Sequence, residues 1–134
     1  MRLEGKVALI TGAAKGVKGE LMGFGGASAW LFAQEGAQVV IADIDEETGQ
    51  KTAAQMRESG HKVQFVRLDV TKEEDWRQAI DATVSHFSRL DVLVNNAGNI
   101  ARANVEDTTL EMWQVTMDVH ATGVFLGTRA AIPV

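Results

Sequence analysis

The sequence contains no cysteine and no tyrosine, and proline occurs once in 134 residues. Without cysteine, the chain forms no disulfide, performs no thiolate chemistry and holds no cysteine-based metal site. Asp and Glu number 18 against 13 Lys and Arg, which gives a net charge of −5. Because the basic residues form no stripe, nucleic acids and anionic membrane surfaces are poor candidates for partners.

Long apolar runs are also absent. No segment approaches the roughly 20 apolar residues of a membrane span, and the N-terminal residues lack the apolar core of a signal peptide. We therefore expect a cytoplasmic protein without membrane partners. The three histidines lack the spacing to acids that a metal site needs, so no metal is predicted.

Short apolar segments alternate with segments of helical character. The predicted strands cover residues 7–10, 39–42, 63–68 and 92–94, and the predicted helices cover residues 25–34, 45–58, 71–87 and about 109 to the chain end. Strands that alternate with helices favour a parallel sheet with helices on both faces. We therefore predict an α/β fold with three layers.

Several helix ends carry recognisable signals. Asp45 is predicted to cap the second helix, and Gly36 and Gly60 are predicted to end the first two helices. Thr71-Lys72-Glu73-Glu74 and Thr108-Thr109-Leu110-Glu111 have the spacing of capping boxes, which predicts the starts of the last two helices.

Glycines are concentrated between the first strand and the first helix, within residues 10–30. A glycine turn at this point lets backbone N–H groups approach a pyrophosphate, which lies at the N-terminus of the following helix. The strict G-x-G-x-x-G pattern is not met, because position 28 is Ser. Two sets of glycines therefore compete for the turn, one around Gly16 and one at Gly23-Phe24-Gly25.

The spacing to a following acid decides between the two sets, since a ribose-binding acid lies about 20 residues after the turn. Asp43 lies 18 residues after Gly25 and 27 residues after Gly16. The helix is thus predicted to start at Gly23-Phe24-Gly25. Lys15 to Leu21 become an insertion, in which Gly16 and Gly19 are interpreted as bystanders.

Asp43 ends the second predicted strand and is placed to accept hydrogen bonds from both hydroxyls of an adenosine ribose. The segment Ile44-Asp45-Glu46-Glu47 adds negative charge and contains no arginine. A 2′-phosphate would be repelled, so NAD is favoured over NADP. The alternative is that Asp43 only helps to cap the next helix, although Asp45 is better placed for that role.

Together, Thr11-Gly12, Gly23-x-Gly25, Asp43, Leu68-Asp69-Val70 and Asn95-Asn96-Ala97-Gly98 resemble the short-chain dehydrogenase/reductase family, over nearly the whole chain. The resemblance implies one NAD-binding Rossmann-type domain over residues 1–134, with strand order 3-2-1-4. It also implies hydride transfer between NAD and a secondary alcohol or ketone. The implied cofactor-binding residues are Gly12, Ala14, Gly23, Phe24, Gly25, Asp43, Asp69, Val70, Asn96, Ala97 and Gly98.

The resemblance also implies roles for these residues. Asp69 and Val70 would contact the adenine, unless Asp69 simply ends a strand. Asn96, Ala97 and Gly98 would line the nicotinamide ribose, with Asn96 also tying the central strands together. Asn95 is expected to be structural.

The sequence departs from the family pattern at three points. The insertion lies in the turn that should approach the pyrophosphate, which predicts weakened cofactor binding. His120 stands where the family places an asparagine; the imidazole either holds a proton-relay water or has no chemical role. The family's catalytic tyrosine and the lysine four residues beyond it are missing, since the chain contains no tyrosine.

We therefore expect a chain truncated at its C-terminus that is inactive by itself, with no catalytic residue of its own. The absence of later strands would leave residues 92–94 as an unpaired apolar edge and would expose Met112, Val115, Val119 and Leu126. Self-association or a homo-oligomer is expected. An alternative is a catalytically inactive binding or regulatory fragment that associates with full-length relatives. A Rossmann-like methyltransferase is a weaker alternative, because Asn95-Asn96-Ala97-Gly98 argues against it.

Overall fold

The computed structural model describes residues 1–134 and is built around a four-stranded parallel sheet. The strands are β1 Val7–Thr11, β2 Gln38–Asp43, β3 Val63–Arg67 and β4 Val92–Val94. Their order is β3-β2-β1-β4, and all three pairings are parallel. The predicted fold class and strand order are confirmed.

Helices cover both faces of the sheet. They are α1 Phe24–Gln34, α2 Glu46–Glu58, α3 Glu73–Phe87, α4 Leu110–Met117 and α5 Gly123–Ala131. The long C-terminal helix of the sequence prediction is interrupted, because a π-helical turn at Asp118–Thr122 joins α4 to α5. None of the helices is both long and apolar enough to span a membrane.

Residues 7–10 of β1 and 39–42 of β2 are all apolar and buried, because successive side chains enter different cores. On one face, Ile10 and Ile41 pack with Trp30 of α1 and Met56 of α2. On the other face, Leu9 and Val40 of the same strands pack with α3 and α5. Burial of both faces explains why β1 and β2 appear in the sequence as continuous apolar runs.

The helix caps agree only in part with the prediction. Asp45 does cap α2, since its carboxylate accepts a hydrogen bond of 3.1 Å from the N–H of Thr48. The capping box at Thr71 is wrong: α3 starts after Lys72 without a side-chain cap, and the Thr71 hydroxyl donates to Asp69 instead. At α4 the cap is Thr109, which accepts from Met112, so this helix starts one residue later than a box from Thr108 predicts.

The apolar surface is arranged differently from the prediction. The prediction that Leu126 is exposed is wrong, because its side chain is buried in the core that also contains residues of α3. Val115 is 49% exposed as expected, whereas Met112 and Val119 are half-buried. The other exposed large apolar side chains of the α4–α5 region include Trp113 and Phe125, each more than half exposed, and at its two ends Leu110 and Ile132, which are exposed further still. Strand β4 forms one edge of the sheet and is half-buried.

These exposed apolar side chains predict that the 134-residue chain self-associates. Replacing Trp113 and Phe125 together with lysine should weaken the association, because both side chains are more than half exposed. The matched control is Leu21→Lys, at an apolar residue that is 93% exposed in the insertion. Sedimentation velocity over a range of concentrations measures the effect. A wild-type chain that stays monomeric at every concentration contradicts the prediction.

Candidate functional site

The carboxyl ends of the strands surround a cleft of about 180 Å³. In open α/β sheets, ligands bind outside this edge, where the strand order reverses, which here is between β1 and β4. The cleft is lined by Gly12, Asp43, Ile44, Leu68, Asp69, Val70, Ala97, Gly98, Asn99 and Val119. It therefore brings together residues that the sequence prediction selected from four separate segments.

The remaining predicted residues do not line the cleft: Ala14 lies in the turn after β1, Gly23, Phe24 and Gly25 lie at the start of α1, and Asn96 lies in the turn after β4. Ala14 and Gly25 are buried, whereas the Phe24 side chain is 90% exposed. Through its backbone, Phe24 forms the first residue of α1, and Gly23 is the N-cap. The helix start predicted from the spacing to Asp43 is therefore confirmed.

A hydrogen-bond network joins the end of β1 to the turn after β4. The Thr11 hydroxyl, which is 1% exposed, lies 3.0 Å from the N–H groups of both Asn96 and Ala97. The Asn96 side chain donates to the carbonyls of Thr11 and Gly12, at 2.9 and 3.1 Å. Asn96 thus ties the end of β1 to the turn after β4, which is an edge strand of this sheet and not a central one.

The glycines at the end of β1 and the start of α1 are required by close approach. Gly12 has a φ of +65°, and a Cβ atom there would lie 2.7 Å from Cα of Ala97. A Cβ atom at Gly25 would lie 2.4 Å from the Gly12 carbonyl oxygen. No larger residue fits either position without moving the backbone.

The insertion is closed at its base. The N–H of Gly23 donates to the carbonyl of Lys15 at 2.9 Å, so residues 16–22 leave and rejoin the turn at nearly the same place. The interpretation of Gly16 as a bystander is wrong, because Gly16 is buried and bonded to both Thr52 and Trp30. Gly19 lies in an exposed turn at φ +90° with no atom near its Cβ position.

The first turn of α1 is free for an anion. No side chain caps this helix, and its first turn contains no acidic residue. By contrast, α2 is capped by Asp45 and has Glu46 and Glu47 in its first turn. Because the first N–H groups of a helix have no partner within it, the start of α1 is suited to a phosphate and the start of α2 is not.

The Asp43 carboxylate lies at the end of β2 with one hydrogen bond on each oxygen. Oδ2 accepts from the N–H of Ala14 at 3.0 Å, and Oδ1 accepts from the N–H of Asp45 at 3.1 Å. A carboxylate has about four acceptor positions, so others are left. The neighbouring cation on β3, Arg67, is paired with Asp75 at 3.3 Å.

Asp69 follows β3 and is held by Thr71. Its Oδ1 accepts from the N–H and the hydroxyl of Thr71, at 3.0 and 2.7 Å. Partial burial acts to raise the pKa of Asp69, but these hydrogen bonds, with smaller contributions from Lys72 and Arg67, outweigh it and lower the pKa. The carboxylate therefore stays charged beside the cleft at neutral pH.

His120 lies in the π-helical turn between α4 and α5. Its Nε2 is 3.1 Å from the backbone nitrogen of Asn99 and 2.9 Å from the carbonyl oxygen of the same residue. A Cβ atom at Gly98 would lie 2.7 Å from the imidazole Cε1. The ring thus packs against the Asn95-Asn96-Ala97-Gly98 turn, and the contact leaves both proposed roles of His120 open.

Comparisons with known proteins agree with this geometry. A family model described as Enoyl-(Acyl carrier protein) reductase matches residues 17–134. Cyclopentanol dehydrogenase of Comamonas sp. (strain NCIMB 9872) is 42% identical over 131 residues, which are 98% of this chain and 50% of the relative. The 2,5-dichloro-2,5-cyclohexadiene-1,4-diol dehydrogenase of Sphingobium indicum is 45% identical over 132 residues, again 98% and 50%.

A solved structure, a short-chain type dehydrogenase/reductase from Mycobacterium marinum, superposes with a TM-score of 0.86 at 35% identity. It covers 96% of this chain and 49% of the other. The chain belongs to the short-chain dehydrogenase/reductase family. It spans about half the length of the curated relatives it matches.

Some residues around this short-chain dehydrogenase/reductase cleft were missed by sequence reasoning. Ile44, Leu68, Asn99 and Val119 line the cleft, and Thr52 and Trp30 hold the insertion. A signal for Thr52 existed: a hydroxyl lies on the buried face of α2 with Gly49, Ala53 and Met56. A buried hydroxyl needs a hydrogen-bond partner, either a carbonyl of its own helix or a group in another segment.

The lowered pKa of Asp69 predicts a pH-dependent contribution to stability. The contribution is fully present above the pKa of an unfolded Asp, about 4, and is lost as pH falls through the lower folded value. Asp69→Asn should therefore cost about 1 kcal/mol of unfolding free energy at pH 7 and progressively less below about pH 4. Urea unfolding between pH 2 and pH 7 measures the difference.

The control for this experiment is Asp81→Asn, because the Asp81 carboxylate is 67% exposed and pairs only with Arg77. Its effect on the free energy of unfolding should be close to zero at every pH. A difference between wild type and Asp69→Asn that stays constant, or grows, as pH falls would refute the prediction.

Proposed function

We propose that these residues form the NAD-binding part of an oxidoreductase that transfers hydride between NAD and a secondary alcohol or ketone. The observation that carries the proposal is the convergence of Gly12, Asp43, Asp69 and Gly98 on one cleft at the switch point of the sheet. In this proposal residues 1–134 act as a single nucleotide-binding domain. A nicotinamide cofactor is typical of the family.

The chemistry of the site fits a dinucleotide. The uncapped start of α1 suits the pyrophosphate, and Asp43 has acceptor positions left for ribose hydroxyls. Asn99, in the segment after β4, also lines the cleft, and its Oδ1 is buried without a hydrogen-bond partner in the protein. A bound group with an N–H or O–H would satisfy this oxygen.

The charge around the ribose end supports NAD rather than NADP. Asp43 would lie beside the 2′ position, and Asp45, Glu46 and Glu47 follow it directly, all exposed. Arg67, the cation nearest in register, is already paired with Asp75. A 2′-phosphate would meet carboxylates with no free cation on β3 to neutralise it.

The substrate class is proposed from the relatives. Two of them are named as dehydrogenases of a cyclic alcohol and a cyclic diol. When bound, NAD⁺ would accept the hydride from an alcohol, and NADH would supply it to a ketone. The proton is moved in this family by a tyrosine, and these 134 residues contain none. By themselves they are therefore proposed to bind the nucleotide without turnover.

The nucleotide preference is tested by Asp43→Asn, which keeps a carbonyl acceptor for Ala14 but removes the charge. In the wild-type chain, NADH should quench the tryptophan fluorescence at a lower concentration than NADPH does. The variant should lose about tenfold of that preference, because a charged acceptor for the ribose is replaced by a neutral one and the repulsion of the 2′-phosphate falls.

The matched control is Glu47→Gln, which removes one nearby charge from a side chain that is 83% exposed and paired with Lys51. This variant should keep nearly the wild-type ratio of affinities. Equal loss of preference in both variants would mean that the overall negative charge, not a contact of Asp43, sets the choice. Absence of NADH binding by wild type would overturn the proposed function.

The proposal also predicts binding without catalysis by the chain alone. With NAD and cyclopentanol, NADH absorbance should not rise, although NADH itself binds. Steady NADH production by the purified chain would show that another residue performs the proton transfer.

A further inference from the structure

The insertion is fastened to the protein at one buried hydroxyl. Thr52 of α2 is 0% exposed. Its Oγ1 donates to the carbonyl of Ala14 at 2.5 Å and accepts from the N–H of Gly16 at 3.2 Å. One hydroxyl therefore spans Lys15, the residue at which the insertion leaves the turn.

Three further contacts hold the outgoing limb of the insertion, residues 16–18. The indole N–H of Trp30, on α1, donates to the carbonyl of Gly16 at 2.6 Å. Gln55, one turn after Thr52 on α2, accepts from the N–H of Lys18 at 2.9 Å. The Lys18 ammonium then lies 3.9 Å from the centre of the Trp30 ring. The limb is thus bound to α1 and α2, and none of its residues lines the cleft.

The same contacts determine where the turn lies against α1. Ala14 is held on both sides: its N–H donates to Asp43, and its own carbonyl accepts from the Thr52 hydroxyl and from the N–H of Gly16. The next carbonyl, of Lys15, accepts from Gly23 and fills the space that a Cβ atom at Gly26 would need. The Thr52 hydroxyl therefore contributes to the position of the turn against the start of α1, together with the bonds of Gly16 to Trp30 and of Lys15 to Gly23.

We propose that Thr52 is a positioning residue for the nucleotide: its hydroxyl holds the Ala14–Gly16 segment in place, so that the insertion leaves the phosphate-binding turn intact. This inference rests on the proposed function for its link to binding. The holding of the turn itself is a property of the free protein. The two parts are therefore measured separately.

The test compares Thr52→Val, Thr52→Ser and Thr83→Val in the full chain. Thr83 is the matched control, because it is also 0% exposed and its hydroxyl donates only within its own helix, to the Ala79 carbonyl. Amide hydrogen exchange over residues 13–23 measures the order of the turn, with no nucleotide present. Quenching of tryptophan fluorescence by NADH measures binding, and urea unfolding compares the overall stability of the variants.

Thr52→Val should raise exchange at Gly16 and Gly23 and weaken NADH binding about threefold to tenfold, since it removes both hydrogen bonds of the hydroxyl. Thr52→Ser should restore both properties. Thr83→Val should leave both at the wild-type level, even if it lowers the stability as much as Thr52→Val does.

Three results would overturn the inference. Exchange over residues 13–23 in Thr52→Val that matches Thr83→Val would mean that the hydroxyl does not hold the turn. Faster exchange in Thr52→Val with unchanged NADH affinity would remove the link between the turn and binding. Weakened NADH binding by Thr52→Ser, which keeps the hydroxyl, would also remove this link. If wild type does not bind NADH, the proposed function fails, and the exchange data still decide whether Thr52 orders the turn.

Discussion

The arrangement of the site depends on one buried hydroxyl, that of Thr11, at the end of β1. It lies within 3.0 Å of the N–H groups of Asn96 and Ala97, and the Asn96 amide returns two hydrogen bonds to the β1 end. A buried polar group without a partner costs about 1–3 kcal/mol. The two strand ends therefore have one favourable relative position, in which Gly12 touches the Asn95-Asn96-Ala97-Gly98 turn and both segments line the same cleft.

The sheet could be predicted from sequence because burial on both faces leaves continuous apolar runs, and the helix start could be predicted because the distance to Asp43 is set by one helix and one strand. Features in which a residue has a choice between two partners or two orientations could not be predicted from the sequence. Thr71 has the pattern of a helix cap, but its hydroxyl bonds to Asp69. Leu126 follows a π-helical turn, which shifts the phase of the helix after residue 122 and turns this side chain toward α3.

The tolerance of the insertion has a related explanation. Extra residues in a flexible loop add little closure entropy when the loop ends are held together, and here Lys15 and Gly23 are hydrogen-bonded directly. The first residue of the loop, Gly16, is bonded to α1 and α2. These contacts order the base of the loop in the free protein, so the conformational entropy there is lost on folding and not on ligand binding. The weakened cofactor binding that the interrupted motif indicates stays a prediction.

In the proposed function, Asp43 links the choice of nucleotide to the shape of the turn. Its two oxygens already accept from Ala14 and Asp45, and the residue lines the cleft in which the ribose is proposed to bind. Replacing it with a small or basic residue to admit a 2′-phosphate would also leave the N–H of Ala14, a buried residue, without its partner. Of the two side chains that hydrogen-bond to Ala14, only Thr52 would then remain. A change of preference toward NADP therefore requires a residue at position 43 that still accepts a hydrogen bond, together with a cation from elsewhere.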